Sequence, residues 1–129
     1  MASLSPSSGL NARTLAENCY YEAVDKLAAG DFSAAIAGFR ASLEADPSYI
    51  DAAHGLLHAL KAAGQFDEAV AVAQHLIAAD PDDILAHTSL SILYQHQGKI
   101  AEAEAAATRA KLLGWKRELR EQREAGSRT

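Results

Sequence analysis

The feature that most constrains the fold is a sequence segment that occurs three times at a fixed spacing. The stretch GQFDEAVAVAQHLIAADP, residues 64–81, aligns without gaps with residues 30–47 before it and, at the same offset, with residues 98–115 after it. Each copy begins with a glycine and has an alanine at the same later position: Gly30, Gly64 and Gly98, then Ala35, Ala69 and Ala103. Such a period is typical of stacked helix pairs, since one pair cannot bury its apolar face alone. The sequence therefore predicts an all-α solenoid.

The repeated pattern resembles the tetratricopeptide repeat, whose unit of helix, turn and helix is about 34 residues long. The family's turn glycine and close-packed alanine both occur three times here. Its aromatic residue occurs twice, as Phe32 and Phe66, and its helix-ending proline twice, as Pro47 and Pro81. The resemblance covers residues 16–117. It implies a right-handed superhelical solenoid of three helix-turn-helix repeats, over about residues 16–49, 50–83 and 84–117.

The two ends of the chain differ from the repeats. Residues 1–10 are rich in Ser, Pro and Gly, so we expect them to be disordered, with a single domain over residues 11–126 and a tail at 127–129. Asn11 is predicted to cap the first helix, and Gly114 to end the sixth. Residues 115–125 are then predicted to form a separate seventh helix that caps the stack with Trp115 and Leu119.

The first helix has an apolar stripe that departs from the strict repeat register. That register would turn Glu22 and Lys26 toward the core. The best apolar stripe is instead Ala16, Tyr20, Ala23 or Val24, and Leu27. A terminal repeat has no neighbour on one side, so an atypical rotation of this helix is expected.

Charge and composition limit the classes of partner and the compartment. The net charge of −5 argues against nonspecific binding to nucleic acid or to an anionic membrane. Cys19 is the only cysteine, so no intrachain disulfide can form, which favours a reducing compartment. The N-terminal segment lacks both the basic region and the apolar region that a signal peptide has. We predict a cytoplasmic protein that binds neither nucleic acid nor membrane.

Motifs that carry chemistry are missing from the sequence. It has no Gly-x-Ser-x-Gly, phosphate loop, Cys-x-x-Cys or His-Glu-x-x-His, so we predict that the protein is not an enzyme and has no cofactor. Asp51, His54 and His58 lie at spacings of three and four, and such side chains can bind a metal ion. Because this spacing arises easily by chance, we predict no metal site. The three residues remain the candidates for one.

The resemblance also implies a binding groove lined by the first helix of each repeat. The corresponding residues are Glu17, Tyr20, Tyr21, Val24 and Leu27, then Asp51, His54, Gly55, His58 and Lys61, then Leu85, Thr88, Ser89, Ile92 and Gln95. Gly55 is predicted to leave a notch in the groove that an anchoring side chain of a partner fills. Family members that grip acidic chaperone tails use Lys, Arg and Asn at positions where this sequence has none, so such a partner is not expected.

The sequence thus predicts a non-catalytic adaptor or scaffold that binds a peptide or a protein segment in the groove. One alternative is a small metal- or ligand-binding protein that uses Asp51, His54 and His58. Another is a self-assembling scaffold, a homo-oligomer in which the uncovered side of helix one packs against a second copy through Tyr20 or Tyr21.

Overall fold

A computed structural model describes residues 9–127 of the chain, and these residues form helices and turns without a strand. Residues 1–8 of the segment expected to be disordered and residues 128–129 of the expected tail lie outside the described residues. Gly9 and Leu10 belong to the first helix and Ser127 to the last, so the predicted boundaries at 10 and 127 are wrong. The helices are α1 (Gly9–Ala28), α2 (Phe32–Ala45), α3 (Ile50–Ala62), α4 (Phe66–Ala79), α5 (Ile84–His96) and α6 (Ile100–Ser127). The predicted all-α class is confirmed, with six helices that follow one another as helix-turn-helix repeats.

The turn inside each repeat depends on its glycine. Gly30, Gly64 and Gly98 have φ of 82°, 77° and 76°, a left-handed conformation that costs glycine little because it has no Cβ. After α1, the Gly30 N–H donates to the Leu27 carbonyl at 3.1 Å and the next N–H donates to the Lys26 carbonyl at 2.9 Å. This pair of bonds is a Schellman motif, which satisfies carbonyls left over at the helix end. The same pair recurs at the other two glycines, as their shared register predicts.

The turn between repeats depends on the Asp-Pro pair. The Asp46 carboxylate accepts hydrogen bonds from the Ser48 N–H at 3.0 Å and from its hydroxyl at 2.6 Å. Asp80, at the equivalent position of the next repeat, accepts a bond from the Asp82 N–H at 3.0 Å. Proline disfavours helix in the residue before it, and the aspartate side chain then holds the turn. Each Asp-Pro pair therefore separates one repeat from the next.

The chain divides into two compact units, with the boundary between Val72 and Ala73 inside α4. In the first unit, α1 packs on α2, α2 packs on α3, and α1 also contacts α3. Phe39 of α2 is completely buried at the centre of this unit. The α1–α2 approach is close, because a Cβ added to Gly38 would lie 2.8 Å from the Cβ of Ala23. A glycine is therefore required where these two helices cross.

In the second unit, α5 packs on α6. Leu93 of α5 and Ala103 of α6 are both almost completely buried. The buried Ser91 hydroxyl donates to the Ala103 carbonyl at 2.8 Å, so this polar group is satisfied across the helix pair. No helix within residues 9–127 combines the length and apolarity needed to cross a membrane.

The rotation predicted for α1 is confirmed in most of its details. Ala16 and Ala23 are buried and Tyr20 is half-buried, whereas Val24 is 37% exposed. Of the two alternatives in the predicted stripe, Ala23 is therefore the residue that packs in the core. The predicted N-cap is wrong: Asn11 lies inside α1, which extends at least to Gly9. The prediction of an N-cap from the sequence fails here because asparagine also occurs within helices, at a modest cost in helix propensity.

The predicted end of α6 at Gly114 is wrong, and residues 115–125 are not a separate helix. They continue α6 as far as Ser127. Unlike the three turn glycines, Gly114 does not adopt a positive φ, and the sequence around it is rich in Leu, Lys and Arg, which are strong helix formers. Trp115 and Leu119 are 56% and 61% exposed, so these two side chains do not cover the end of the stack.

Candidate functional site

The aromatic side chains of α1 point in two directions. Tyr20 packs into the first unit, with its ring centroid 5.8 Å from that of Phe39 and 5.3 Å from that of Tyr49. Tyr21 packs edge-on against Tyr20 at 5.3 Å and is 60% exposed. Burial raises the pKa of Tyr20, and the negative charge of Asp51 raises it further. Tyr20 is therefore mainly a core residue, and Tyr21 carries the exposed aromatic surface.

Tyr49 and Arg13 support this cluster, although the sequence reasoning did not select them. The buried Tyr49 ring lies 4.0 Å beneath the Arg13 guanidinium, which is also paired with Asp46 at 3.0 Å. Burial raises the pKa of Tyr49, and Tyr21, Asp51 and Glu17 add to the increase. One signal was available: Tyr49 stands one repeat before Asp83, which caps α5, and a tyrosine replacing a capping aspartate indicates a packing role.

The predicted residues of α3 lie beside this cluster. Asp51 and His58 are exposed, whereas His54 and Lys61 are half-buried. Helix α1 contacts α3, and Asp51 at the start of α3 lies near enough to Tyr20 for its charge to raise the pKa of that side chain. Tyr20, which contacts Tyr21, therefore connects α1 with the start of α3 in the first unit.

The metal-binding alternative is not supported by the geometry. Within residues 9–127, no three His, Cys, Asp or Glu side chains form a group that could hold a metal ion. Asp51, His54 and His58 share a helix but do not converge on a common point. Spacings of three and four put side chains on one helix face, but a site also needs side chains that turn toward one ion.

The predicted notch at Gly55 is wrong. A Cβ at this position would lie 2.7 Å from Cζ and 2.8 Å from Cδ1 of Phe39. The Phe39 ring of α2 therefore occupies the space that the glycine leaves, and a partner side chain cannot enter it. Because Phe39 is fully buried, Gly55 has a packing role in the core of the first unit.

Only some of the residues of α5 that were predicted to line the binding groove are exposed. Leu85, Thr88 and Ile92 are exposed at spacings of three and four, so they form one face of the helix. Ser89 is only 3% exposed, so its assignment to a binding surface is corrected. The third-repeat set therefore reduces to the apolar residues Leu85 and Ile92, with the exposed polar residues Thr88 and Gln95 on the same face.

A cavity of about 240 Å³ lies in the second unit, between the start of α5 and the middle of α6. It is lined by Asp82, Asp83, Ile84, Leu85, Leu113, Lys116, Arg117 and Arg120. Carboxylates from the turn face basic side chains from α6, so opposite charges share the cavity. Lys116, Arg117 and Arg120 belong to the segment predicted to cap the stack, and sequence spacing does not show which turn they approach.

Comparisons with known proteins agree with this architecture. The family described as "Tetratricopeptide repeat" matches residues 26–93. None of the curated protein sequences matches the chain. A crystal structure of MamA has a TM-score of 0.77 and 24% identity, and the match covers 82% of this chain and 62% of the MamA chain.

A second similar structure is that of the Yersinia enterocolitica type III secretion translocator chaperone SycD, described as an alternative dimer. Its TM-score is 0.75 with 23% identity, and the match covers 88% of this chain and 87% of that one. At such identities, the likeness supports the fold alone. The family match covers more than half of the chain and agrees with the glycine turns and the Asp-Pro breaks. The chain belongs to the tetratricopeptide repeat family.

Proposed function

We propose that the protein is a non-catalytic adaptor or scaffold that binds a peptide or a protein segment on the exposed face of α1 and α3. Membership in a repeat family that presents extended binding surfaces implies protein–protein interaction. The observation that carries the proposal is the exposed Tyr21, held in place by the half-buried Tyr20. Exposed aromatic side chains on a rigid support are frequent anchors of protein interfaces.

The side chains around Tyr21 define the chemistry that this face accepts. Val24 adds exposed apolar surface one turn along α1, whereas Glu17 and Asp51 contribute carboxylates. Carboxylates next to an aromatic ring favour a segment that presents an apolar or aromatic anchor together with Lys or Arg. An acidic chain terminus would meet repulsion here, since it requires the cationic clamp that this sequence lacks.

The apolar stripe of α5 offers a separate contact surface in the second unit. Leu85 and Ile92 are 55% and 38% exposed on one helix face, with Thr88 beside them. Such a stripe suits the apolar face of a partner segment. The proposal includes a cytoplasmic location, for which the single Cys19 is the sequence argument.

Affinity capture from the source organism tests the proposal. Wild-type protein is compared with a Tyr21→Ala/His58→Ala variant, whose two side chains are exposed, and with His75→Ala, an exposed control on α4. We expect at least one protein to be retained by wild type and by His75→Ala, and to be lost from the double variant. Equal capture by all three proteins, with equal helicity by circular dichroism, would refute a role for this face.

A further inference from the structure

Helix α6 has a second apolar stripe, on the face that its own chain leaves exposed. The side chains of this stripe alternate at spacings of four and three and are all exposed: Ala101, Ala105, Thr108, Leu112, Trp115 and Leu119. Leu112, Trp115 and Leu119 are 48%, 56% and 61% exposed. A sustained alternation of this kind is the pattern by which one helix packs along another. We call these six residues the α6 stripe.

The α6 stripe lies on a different side of the helix from the contact with α5. The buried residues Ala103, Ala106 and Leu113 form the intrachain face. In a heptad that places Ala105, Leu112 and Leu119 at position a, these buried residues fall at positions f and b. Packing within the chain thus leaves the a and d positions open over the length of α6, about 42 Å at 1.5 Å per residue.

The C-terminal half of α6 buries none of its side chains within the part of the chain that the structure describes. From Trp115 to Ser127, each residue is exposed. Isolated helices shorter than about 12–15 residues are marginal in water, and most helical stability comes from packing of an apolar face. Opposite charges four residues apart, such as Arg117 and Glu121 in this sequence, stabilise an exposed helix only slightly. A helix that extends so far beyond its own core is best explained by packing against another molecule.

We propose that the α6 stripe binds the α6 stripe of a second copy of this chain, with the two helices antiparallel. In this register, Trp115 of one copy packs beside Leu112 of the other, and Leu119 packs beside Thr108. Large side chains then alternate with smaller ones along the contact. Antiparallel packing also places the positive end of each helix dipole near the negative end of the other.

In this arrangement, most charged residues beside the α6 stripe of one copy face residues of opposite charge in the other copy. Lys111 of one copy faces Glu118 of the other, and Glu102 faces Arg123, and two-fold symmetry repeats each pair. Arg109 and Lys116 face each other and are the exception. Charge pairs that match on both sides of a two-fold axis favour a second copy over an unrelated helix. The inference goes beyond the proposed function, because it concerns neither α1 nor α3.

The oligomeric state tests the proposal. Sedimentation of the full chain from about 5 to about 500 µM covers the range in which weak dimers dissociate. We expect wild type to approach twice the chain mass of 13.7 kDa at the high end. Leu119→Lys should weaken the dimer at least about tenfold. Ile100→Lys is the matched control, since Ile100 is 56% exposed on the same helix but lies outside the stripe. Tyr21→Lys tests association through helix one, and it should leave the dimer intact.

Trp115 provides a second readout, because it is the only tryptophan. Its quenching by acrylamide should decrease as wild-type concentration rises, and should stay constant in Leu119→Lys. A wild-type protein that remains monomeric throughout overturns the proposal. A dimer that persists in Leu119→Lys, or that dissociates in Tyr21→Lys, also overturns it.

Single-cysteine variants in a Cys19→Ser background test the orientation. The antiparallel register places Ala105 beside Gln122 of the other copy. A mixture of Ala105→Cys and Gln122→Cys should therefore form a disulfide-linked dimer on mild oxidation, whereas neither protein should do so alone. Efficient crosslinking of Gln122→Cys by itself would indicate parallel helices and refute the antiparallel arrangement.

Discussion

Substitution of Gly38 by alanine should destabilise the protein, although alanine is the better helix former. Alanine in a helix interior is favoured over glycine by about 1 kcal/mol. Here the added Cβ would lie 2.8 Å from the Ala23 Cβ and 3.3 Å from its Cα, so α1 and α2 must separate. Overpacking of this kind costs about 1–3 kcal/mol, and because part of the Ala23 contact is backbone, the cost lies toward the upper end. We expect a net loss of up to about 2 kcal/mol, since the helix propensity offsets part of the clash.

Gly114→Ala is the matched control for this experiment. Gly114 also lies inside a helix, but a Cβ there would meet no heavy atom within 4 Å. We expect Gly114→Ala to raise the free energy of unfolding, by up to about 1 kcal/mol. Urea denaturation followed by circular dichroism measures both variants, and an unchanged m-value confirms that only stability has changed. If Gly38→Ala is as stable as Gly114→Ala or more so, the close approach of α1 and α2 is refuted.

Three further predictions concern other parts of the chain. Gly55→Ala should lower the melting temperature, since its Cβ would lie 2.7 Å from Cζ of the buried Phe39, and a gain in melting temperature would refute that packing. The pKa of Asp46 is lowered by hydrogen bonds from Ser48 and by Arg13, so its contribution to stability is present above about pH 4 and is lost as the pH falls through the folded-state pKa. Asp46→Asn should therefore destabilise at pH 7 and show a smaller loss in acid, and an unchanged profile between pH 2 and pH 7 would contradict this. Removal of residues 115–129 should change the unfolding free energy of the monomer by less than about 0.5 kcal/mol, because the side chains from 115 to 127 are exposed, and a large loss in dilute solution would show that they pack.

The repeat pattern was sufficient to predict the class of the fold and its turns. Gly30, Gly64 and Gly98 were assigned to turns by their register, and the structure gives all three a positive φ. This works because a left-handed turn requires glycine, and a requirement repeated at a fixed period is visible in a single sequence.

The glycines outside that register were misinterpreted, because a glycine within a helix has several causes. Gly55 accommodates the Phe39 ring of another helix, and no local pattern specifies which side chain from a distant helix will approach. Gly114 has no neighbour at its Cβ position and continues α6. Only the conformation of the backbone distinguishes it from a helix-ending glycine.

The candidate site was predictable as a set of helix positions, but not as a surface. Periodicity assigned Tyr20 and Tyr21 together, although one packs in the core and the other is exposed. Their separation depends on the rotation of α1 against Phe39 and Tyr49, which is a tertiary contact. The role of Arg13 was not predictable for the same reason, since its partners Asp46 and Tyr49 lie in a distant part of the sequence.

The central claim is that a protein segment binds on the exposed face of α1 and α3. Chemical-shift mapping tests it most directly, using isotope-labelled protein titrated with a segment of a protein recovered by affinity capture. We predict that the largest shift changes occur at Tyr21, Val24, Asp51 and His58, while His75 on α4 is unaffected. Shift changes confined to α2 and α4, with Tyr21 and Asp51 unmoved at saturation, would contradict the claim.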